Sequence, residues 1–579
     1  MEHIPHPSNY DKSPCLSVCG HDDQAWEGYR AVAAVLGARD ARVIVIDCYL
    51  GVDYDELLAG IAALLAPESV FCSDDIFHDG DELARLMQPH LTDDRVRGVM
   101  YYGPITDFVD AGRLARMRAE VASRTGTVLV YGLAASLVCR GDVLVLADMP
   151  RWEIQLRYRA GMPNFKQRNF NEDVLVKYKR GFFVEWRVAD RHKMEILDDV
   201  DFYLDTTLAG TPKLVTGTAY RAGLREFSRR PFRLIPYFDP GVWGGTWMQE
   251  VCGLPDVGKN YAWSFDGVPE ENAIGMRFGD VTIETPAMNL VKRHPVALLG
   301  AKNHARFGAE FPIRFDFLDT IGGQNLSLQV HPTTEYIKTH FGMAYTQDES
   351  YFILDAEEDG GVYLGLREGI DPDAFVGDLE RAQREGTSFD ADAYVNRFPA
   401  RKFDHFLIPA GTVHCSSAGT MVLEVSATPY IFTFKLWDWG RLGLDGRPRP
   451  IHIEDGRRVI DHTRTTRWVA EHLVNRFEVI HDGSDYRETK TGLHELEFIE
   501  TRLFETSGAT LHDTADGVNV LNLVDGREAV IESPSDAFEP FVVHYAETFI
   551  VPAAVGAYRI RPTVDGEQIR VLKAYVRSW

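Results

Sequence analysis

The feature that most constrains this chain is a change of texture near residue 228. Before it, "ARVIVIDCYL", "GTVLVYG" and "DVLVLADM" are unbroken apolar runs of strand length, and "YDELLAGIAALLA" has helical spacing. A strand that is apolar at every position is buried on both faces, so these segments predict a parallel sheet with helices on both sides. After "SRRPFRLIPYFDPGVWGGTW" the strands turn short and are punctuated by Gly and Pro: "IRFDFLD", "LSLQVHP", "SYFILDA", "GVYLGL", "HFLIPAGTVH" and "GTMVLEVS". That pattern predicts a β-sandwich or small barrel. Two helical stretches interrupt it, "DPDAFVGDLERAQREG" and "RRVIDHTRTTRWVAEHLV", and strands return from about residue 477.

A chain of 579 residues is too long for one core. The expected division is an α/β domain over 1–228, a β-domain with helical segments over 229–476, and a smaller β-domain over 477–579. The net charge of -25 lacks the basic footprint that nucleic acid requires, so no nucleic-acid partner is expected. The seven cysteines have no C-x-x-C pairing and read as reduced thiols. The first residues, "MEHIPHPSNYDKSPC", have no basic-then-apolar leader pattern, and no apolar run is long enough to span a bilayer. A cytoplasmic protein with no membrane partner is therefore expected.

Chemistry concentrates in "GGQNLSLQVHP". Side chains alternate along a strand, so Gln329 and His331 project together, with Ser327 on the same face. "IPAGTVH" supplies a second histidine, His414, after a tight turn at Gly411. Imidazoles, a carboxylate and an amide oxygen suit a divalent transition ion.

These two segments resemble the paired motifs of the cupin barrel, Gly-x5-His-x-His and Pro-x-Gly-x-x-His. Gly323 begins the first, Gln329 stands where its first histidine would be, and Pro409 to His414 give the second in full. A cupin alone would nominate Glu335 as the acidic ligand. The longer stretch resembles one cupin family, the type I mannose-6-phosphate isomerases, in "QVHP", "DESYFIL", "PAGTVH", "VLEVS" and "WDWGRLGLDGRPRPIHIE". "VWGGTW" and "YAWSFD" match two further family segments. The resemblance covers roughly residues 235 to 465.

The resemblance implies a ligand set of Gln329, His331, Glu349 and His414 holding one zinc ion per chain. Glu335 is then left to a turn or helix start. It also implies an aldose–ketose isomerase interconverting mannose 6-phosphate and fructose 6-phosphate, or a related sugar phosphate, through an enediol. Such a reaction needs a base, a proton shuttle and positive charge beside the developing oxyanion. Arg441 matches the family's catalytic arginine, and Glu424 is the acid/base candidate. Lys435 and Arg447 are the cationic positions in the matching segments. The sequence departs from the family at Gln347, where a lysine usually stands two positions before the ligand glutamate.

The N-terminal domain resembles a P-loop nucleoside kinase without its P-loop: "VIVIDCYLGVDYDELL" has Gly51 and no Gly-Lys-Ser. Acidic "CSDDIFHDGDEL" and the arginines Arg151, Arg157 and Arg159 complete that likeness. The C-terminal "IVPAAVGAYRI" resembles a cupin turn with no histidine at the ligand position, which implies a second, metal-free barrel. Two other functions fit the same residues. One is a non-catalytic sugar-phosphate-binding regulatory protein; the other is a bifunctional isomerase with a cryptic phosphotransferase in front.

Overall fold

The computed structural model describes residues 7–427, 432–444, 446–492 and 494–577. Residues 1–6 of the N-terminal stretch and Asp445 of the "LDG" motif lie outside them. The chain divides into two compact units. One comprises Met1–Ser13, Arg229–Pro269 and Pro295–Trp579, and the other comprises Pro14–Ser228 and Glu270–His294. Ser228 closes a segment of one unit, and two exchanges cross that point: Met1–Ser13 groups with residues after it and Glu270–His294 with residues before it.

Pairing explains the second exchange. Ala273–Phe278 pairs in parallel with Cys15–Ser17 and antiparallel with Val281–Pro286, forming a small sheet of the unit that holds residues 14–228. The helix Ala287–Arg293 that follows sends Asn289 to Asp148, with Nδ2 donating to Oδ2 at 2.9 Å.

The main sheet of that unit has seven strands in the order Ala25–Glu27, Lys213–Thr216, Phe202–Asp205, Val143–Asp148, Val43–Cys48, Val128–Gly132, Ser69–Cys72. The five from Phe202–Asp205 to Ser69–Cys72 run parallel, and the two at the other edge are antiparallel additions. Val45, Ile46, Val130 and Val145 are fully buried, as continuous apolar runs require. The helical spacing over "YDELLAGIAALLA" is realised as Tyr54–Leu57, capped by Asp53, a π-turn over Leu58–Ala62 and a last turn Ala63–Leu65.

The other unit is β-rich. One six-stranded sheet runs His405–Ile408, Glu349–Ala356, Thr420–Ala427, Ile313–Asp319, Tyr261–Gly267, Tyr237–Gly245. A five-stranded sheet runs Val395–Pro399, Gly361–Leu366, His414–Ser416, Leu328–Val330, Phe434–Trp437. Two more sheets, of six and four strands, hold the C-terminal segment from Glu478 on. They close over Leu521, Leu523, Ile531, Val543, Phe549 and Val571, all buried. At about 1.5–3 kcal/mol for each large apolar side chain, that cluster is enough to hold the two sheets together.

The insert "DPDAFVGDLERAQREG" forms the helix Pro372–Glu385, started by the Asp371 cap and stopped by left-handed Gly386. The second expected helix is broken into Ile453–Val459 and Thr466–His472. Between them Asp461 Oδ1 accepts from the Thr463 amide at 3.0 Å and its hydroxyl at 2.6 Å, a local turn that competes with the helix. No helix among the described residues is long and apolar enough to cross a membrane, and all seven cysteines are free thiols.

Candidate metal centre

Leu328–Val330 lies between His414–Ser416 and Phe434–Trp437, with Gln329 directly opposite His414. Val330 faces away from Gln329 and is fully buried in apolar surroundings, so the strand has a polar face and an apolar one. Pro332 ends the strand and Thr333 caps the next helix, Thr334–Phe341. Glu335 sits exposed in that helix's first turn and plays no part in the cluster, as the family resemblance implies. Glu349 begins a strand of the facing sheet, which brings a carboxylate across to the two imidazoles.

His331, Glu349 and His414 converge, all essentially excluded from solvent. His331 Nε2 lies 3.0 Å from Glu349 Oε2, and His414 Nε2 lies 2.7 Å from Glu349 Oε1. The other nitrogen of each ring faces a carbonyl: His331 Nδ1 is 3.1 Å from Phe432 O, and His414 Nδ1 is 2.8 Å from Thr412 O. A carbonyl oxygen only accepts, so both Nδ1 atoms carry a proton, and in that tautomer of a neutral imidazole Nε2 presents its lone pair to the carboxylate. Lone pairs on three buried groups aimed at one point call for a cation or added protons. His331 Nε2 and Glu349 Oε1 accordingly have no hydrogen-bond partner of good geometry.

Gln329 completes the set, its amide 3.2 Å from His414 Nε2. A half-turn of that amide exchanges its nitrogen for oxygen and presents a fourth donor atom. Two imidazole nitrogens, a carboxylate and an amide oxygen fit a borderline divalent ion such as zinc, with the Nδ1–H bonds fixing the tautomers as metal-ligating histidines require. Burial tends to raise the Glu349 carboxyl; with no cation between them it is protons on the two facing imidazoles that hold it well below the usual carboxylate range. Gln347 Nε2 donates to Glu349 Oε2 at 3.0 Å, from a side chain that is itself buried.

Behind Glu349 lies a second charged group. Glu424 stands opposite Tyr351 on one side and Asp316 on the other. Arg314 Nη2 donates to Asp316 Oδ2 at 2.8 Å. Burial first, then Asp316 and Glu349, push the Glu424 carboxyl well above its ordinary value. Glu424 lies one strand over from Glu349, and its burial favours the protonated form.

Arg441 lies at the other end of the strand face. Its Nη2 is 2.6 Å from Asp438 Oδ1 and its Nη1 donates to Asn325 O at 2.6 Å. The same Asp438 oxygen accepts from Ser327 Oγ at 2.8 Å and Arg449 Nη1 at 3.1 Å. One carboxylate thus gathers two guanidiniums beside the strand that carries Gln329 and His331. Lys435 is opposite Gln329 in register, whereas Arg447 is exposed in the following loop.

Gln329, His331, Glu349 and His414 lie side by side in the structure, joined by two cations not singled out from the sequence, Arg449 and Arg464. The "RPRP" stretch was a usable signal for Arg449; Arg464, in "DHTRTT", had none.

In the other unit the loop after Val43–Cys48 holds Gly51 at a φ of +98°, where a Cβ would press on Ile154 and Met149. That glycine serves close packing. At the carboxyl ends of the strands, where such sheets take ligands, Lys193 is 3.0 Å from Asp148, and Asp47 Oδ2 accepts from Ser136 N at 2.8 Å with His192 Nε2 3.0 Å away. Asp47, Asp148, His192 and Lys193 are all buried there.

Residues 28–229 match a family described as "Domain of unknown function (DUF8485)". The chain has relatives in Bacillus subtilis (strain 168). "Mannose-6-phosphate isomerase ManA" is 26% identical over 334 residues, covering 57% of this chain and 95% of that protein. "Probable mannose-6-phosphate isomerase GmuF" is 27% identical over 232 residues, 40% of this chain and 68% of that one. A crystal structure of the mannose 6-phosphate isomerase from Bacillus subtilis aligns with a TM-score of 0.48 at 17% identity, over 60% of this chain and all of that one.

Proposed function

We propose that the chain is a zinc-dependent aldose–ketose isomerase that interconverts mannose 6-phosphate and fructose 6-phosphate, or a related sugar phosphate. The observation that carries this reading is the convergence of His331, Glu349 and His414 with Nε2 lone pairs on the carboxylate. The relatives named as isomerases support the class of reaction.

Gln329, His331, Glu349 and His414 would hold the ion. Zinc bound there supplies Lewis acidity toward the carbonyl or hydroxyl oxygens of the sugar. Glu424, whose carboxyl burial pushes well above its ordinary range, is the proposed proton carrier of the enediol stage. Arg441, drawn in by Asp438, is the proposed positive charge for the enediolate oxygen. The cations Lys435 and Arg449 lie along the same strand face and suit an anionic substrate.

The two facing sheets of this site are proposed as a cupin barrel with a helical insert, and the C-terminal sheets as a second, metal-free cupin. Residues 14–228 are proposed as a kinase-like α/β domain with a structural or regulatory part rather than phosphotransfer, since the loop after Val43–Cys48 has no Gly-Lys-Ser to cradle a phosphate. A cytoplasmic location fits the free thiols.

A second reading, a sugar-phosphate sensor, is favoured by one observation: Gln347 puts a neutral amide against Glu349 where the resembled family has a lysine. Zinc analysis together with a coupled assay separates the two. Turnover by zinc-loaded protein supports the enzyme. Sugar-phosphate binding without turnover supports the sensor.

A further inference from the structure

Arg464 reaches back 55 residues to the turn that precedes His414. Its side chain is only 6% exposed. Nη1 donates to Pro409 O at 2.6 Å, to Ala410 O at 2.7 Å and to the Thr412 hydroxyl. Nε lies 3.2 Å from Asp461 Oδ2. One guanidinium thus satisfies three oxygens of a single tight turn, which Gly411 closes at a φ of +91°.

That turn is where the segments of three ligands meet. The Gly411 amide donates to His331 O at 2.9 Å, and the Ala410 amide to Asp348 Oδ1 at 2.7 Å, next to Glu349. The Thr412 carbonyl accepts from His414 Nδ1 at 2.8 Å and so sets which ring nitrogen faces Glu349. Without Arg464 the Pro409 carbonyl keeps the Thr412 amide at 3.2 Å and its hydroxyl at 2.6 Å, but the Ala410 carbonyl loses its charged donor in a place from which water is largely excluded. Buried carbonyls do not stay unpaired, so the turn would rotate toward solvent and take Thr412 O with it.

We propose that Arg464 is a positioning residue of the metal centre. It clamps the Pro409–Thr412 turn so that Thr412 O holds the His414 ring with Nε2 directed at Glu349. The inference rests on the metal reading for what His414 binds, but the clamp itself is a statement about the ring.

The test uses the full chain, wild type and Arg464→Met, Arg464→Lys and Thr412→Val. Zinc affinity is measured by chelator competition, the cobalt(II) absorption spectrum is recorded, and the imidazole N–H signal of His414 is followed by NMR. Loss of a partner that orients a ligating histidine weakens metal binding by about 10–100-fold. Arg464→Met is expected in that range, with an altered cobalt spectrum and a fast-exchanging His414 N–H. Arg464→Lys, which keeps a cation but not the planar fork, is expected between it and wild type. Wild-type affinity, spectrum and N–H signal in Arg464→Met would overturn the proposal. If Arg464→Met does not fold, the same comparison on Arg464→Lys and Thr412→Val decides it. If wild type binds no divalent ion, the metal reading falls, and the His414 N–H signal alone judges the clamp.

Discussion

The Gln347 carboxamide donates to Glu349 Oε2 across 3.0 Å, while its own oxygen is buried with no hydrogen-bond partner. A residue in that position touches the proposed ligand carboxylate without being able to carry a proton at neutral pH. Gln347→Lys would place a titratable amine there. We expect it to raise turnover of mannose 6-phosphate by about tenfold or more, within what a positioned acid/base group supplies. The coupled assay reads this directly, and turnover that is unchanged or lower rules out Gln347 as the brake.

Glu349 is the only carboxylate within the ligand cluster of described residues. Glu349→Gln keeps the shape and removes the charge that faces two imidazoles. Zinc content after dialysis should drop to near zero, and binding should weaken by about 100-fold or more, beyond the loss expected for an orienting partner. Retention of one zinc per chain in this variant would move the metal elsewhere.

Glu424 separates catalysis from stability. Because burial disfavours charge on its carboxyl, Glu424→Gln puts a neutral group of equal size where the charged form is already disfavoured. Unfolding free energy should change by no more than about 1 kcal/mol. Turnover should fall by about 100-fold or more if the group carries the proton. Normal turnover in a folded Glu424→Gln protein would remove it from the reaction.

A pH dependence should arise away from the site, at Asp266. Burial first, and Asp316 in part, push its carboxyl up to about 7, against the opposing pull of Arg233 and the Tyr10 hydroxyl. The folded state therefore binds a proton that the unfolded chain releases near pH 4, so this group's contribution is full below about pH 4 and is lost as pH rises to about 7. Asp266→Asn should flatten that part of the stability curve and make the protein more stable than wild type at pH 8, by an amount on the order of a few kcal/mol. Denaturant titrations at pH 5 and pH 8 test it. An equal difference at both values would contradict the shift.

What could be read from the sequence was whatever repeats locally. "VIVID" and "VLVLAD" are buried strands because each position is apolar, and the structure pairs them in parallel. Gln329 and His331 share a face because side chains alternate, and "PAGTVH" brought His414 opposite Gln329. Glu349 was distinguishable from Glu335 only through the resemblance, since both are glutamates beside aromatics; in the structure one opens a buried strand and the other a solvent-exposed helical turn. Long-range pairing left no local trace. Nothing in "AIGMRF" announces that it joins Cys15–Ser17, and nothing in "DHTRTT" announces that Arg464 clamps a turn 55 residues earlier. The Asp438 hub had a trace only in the three-residue spacing of Asp438 and Arg441 in "DWGR"; its hold on Ser327 and Arg449, over 111 and 11 residues, had none.

The central claim is that His331, Glu349 and His414 form a working metal centre for sugar-phosphate isomerisation. It is tested most directly by one titration: metal-stripped full-length protein is reloaded with zinc while the conversion of mannose 6-phosphate to fructose 6-phosphate is followed. The account predicts activity that rises in proportion to zinc and saturates at one ion per chain. A protein that binds one zinc and converts none of a small panel of aldose phosphates, or that turns over equally without metal, would contradict it.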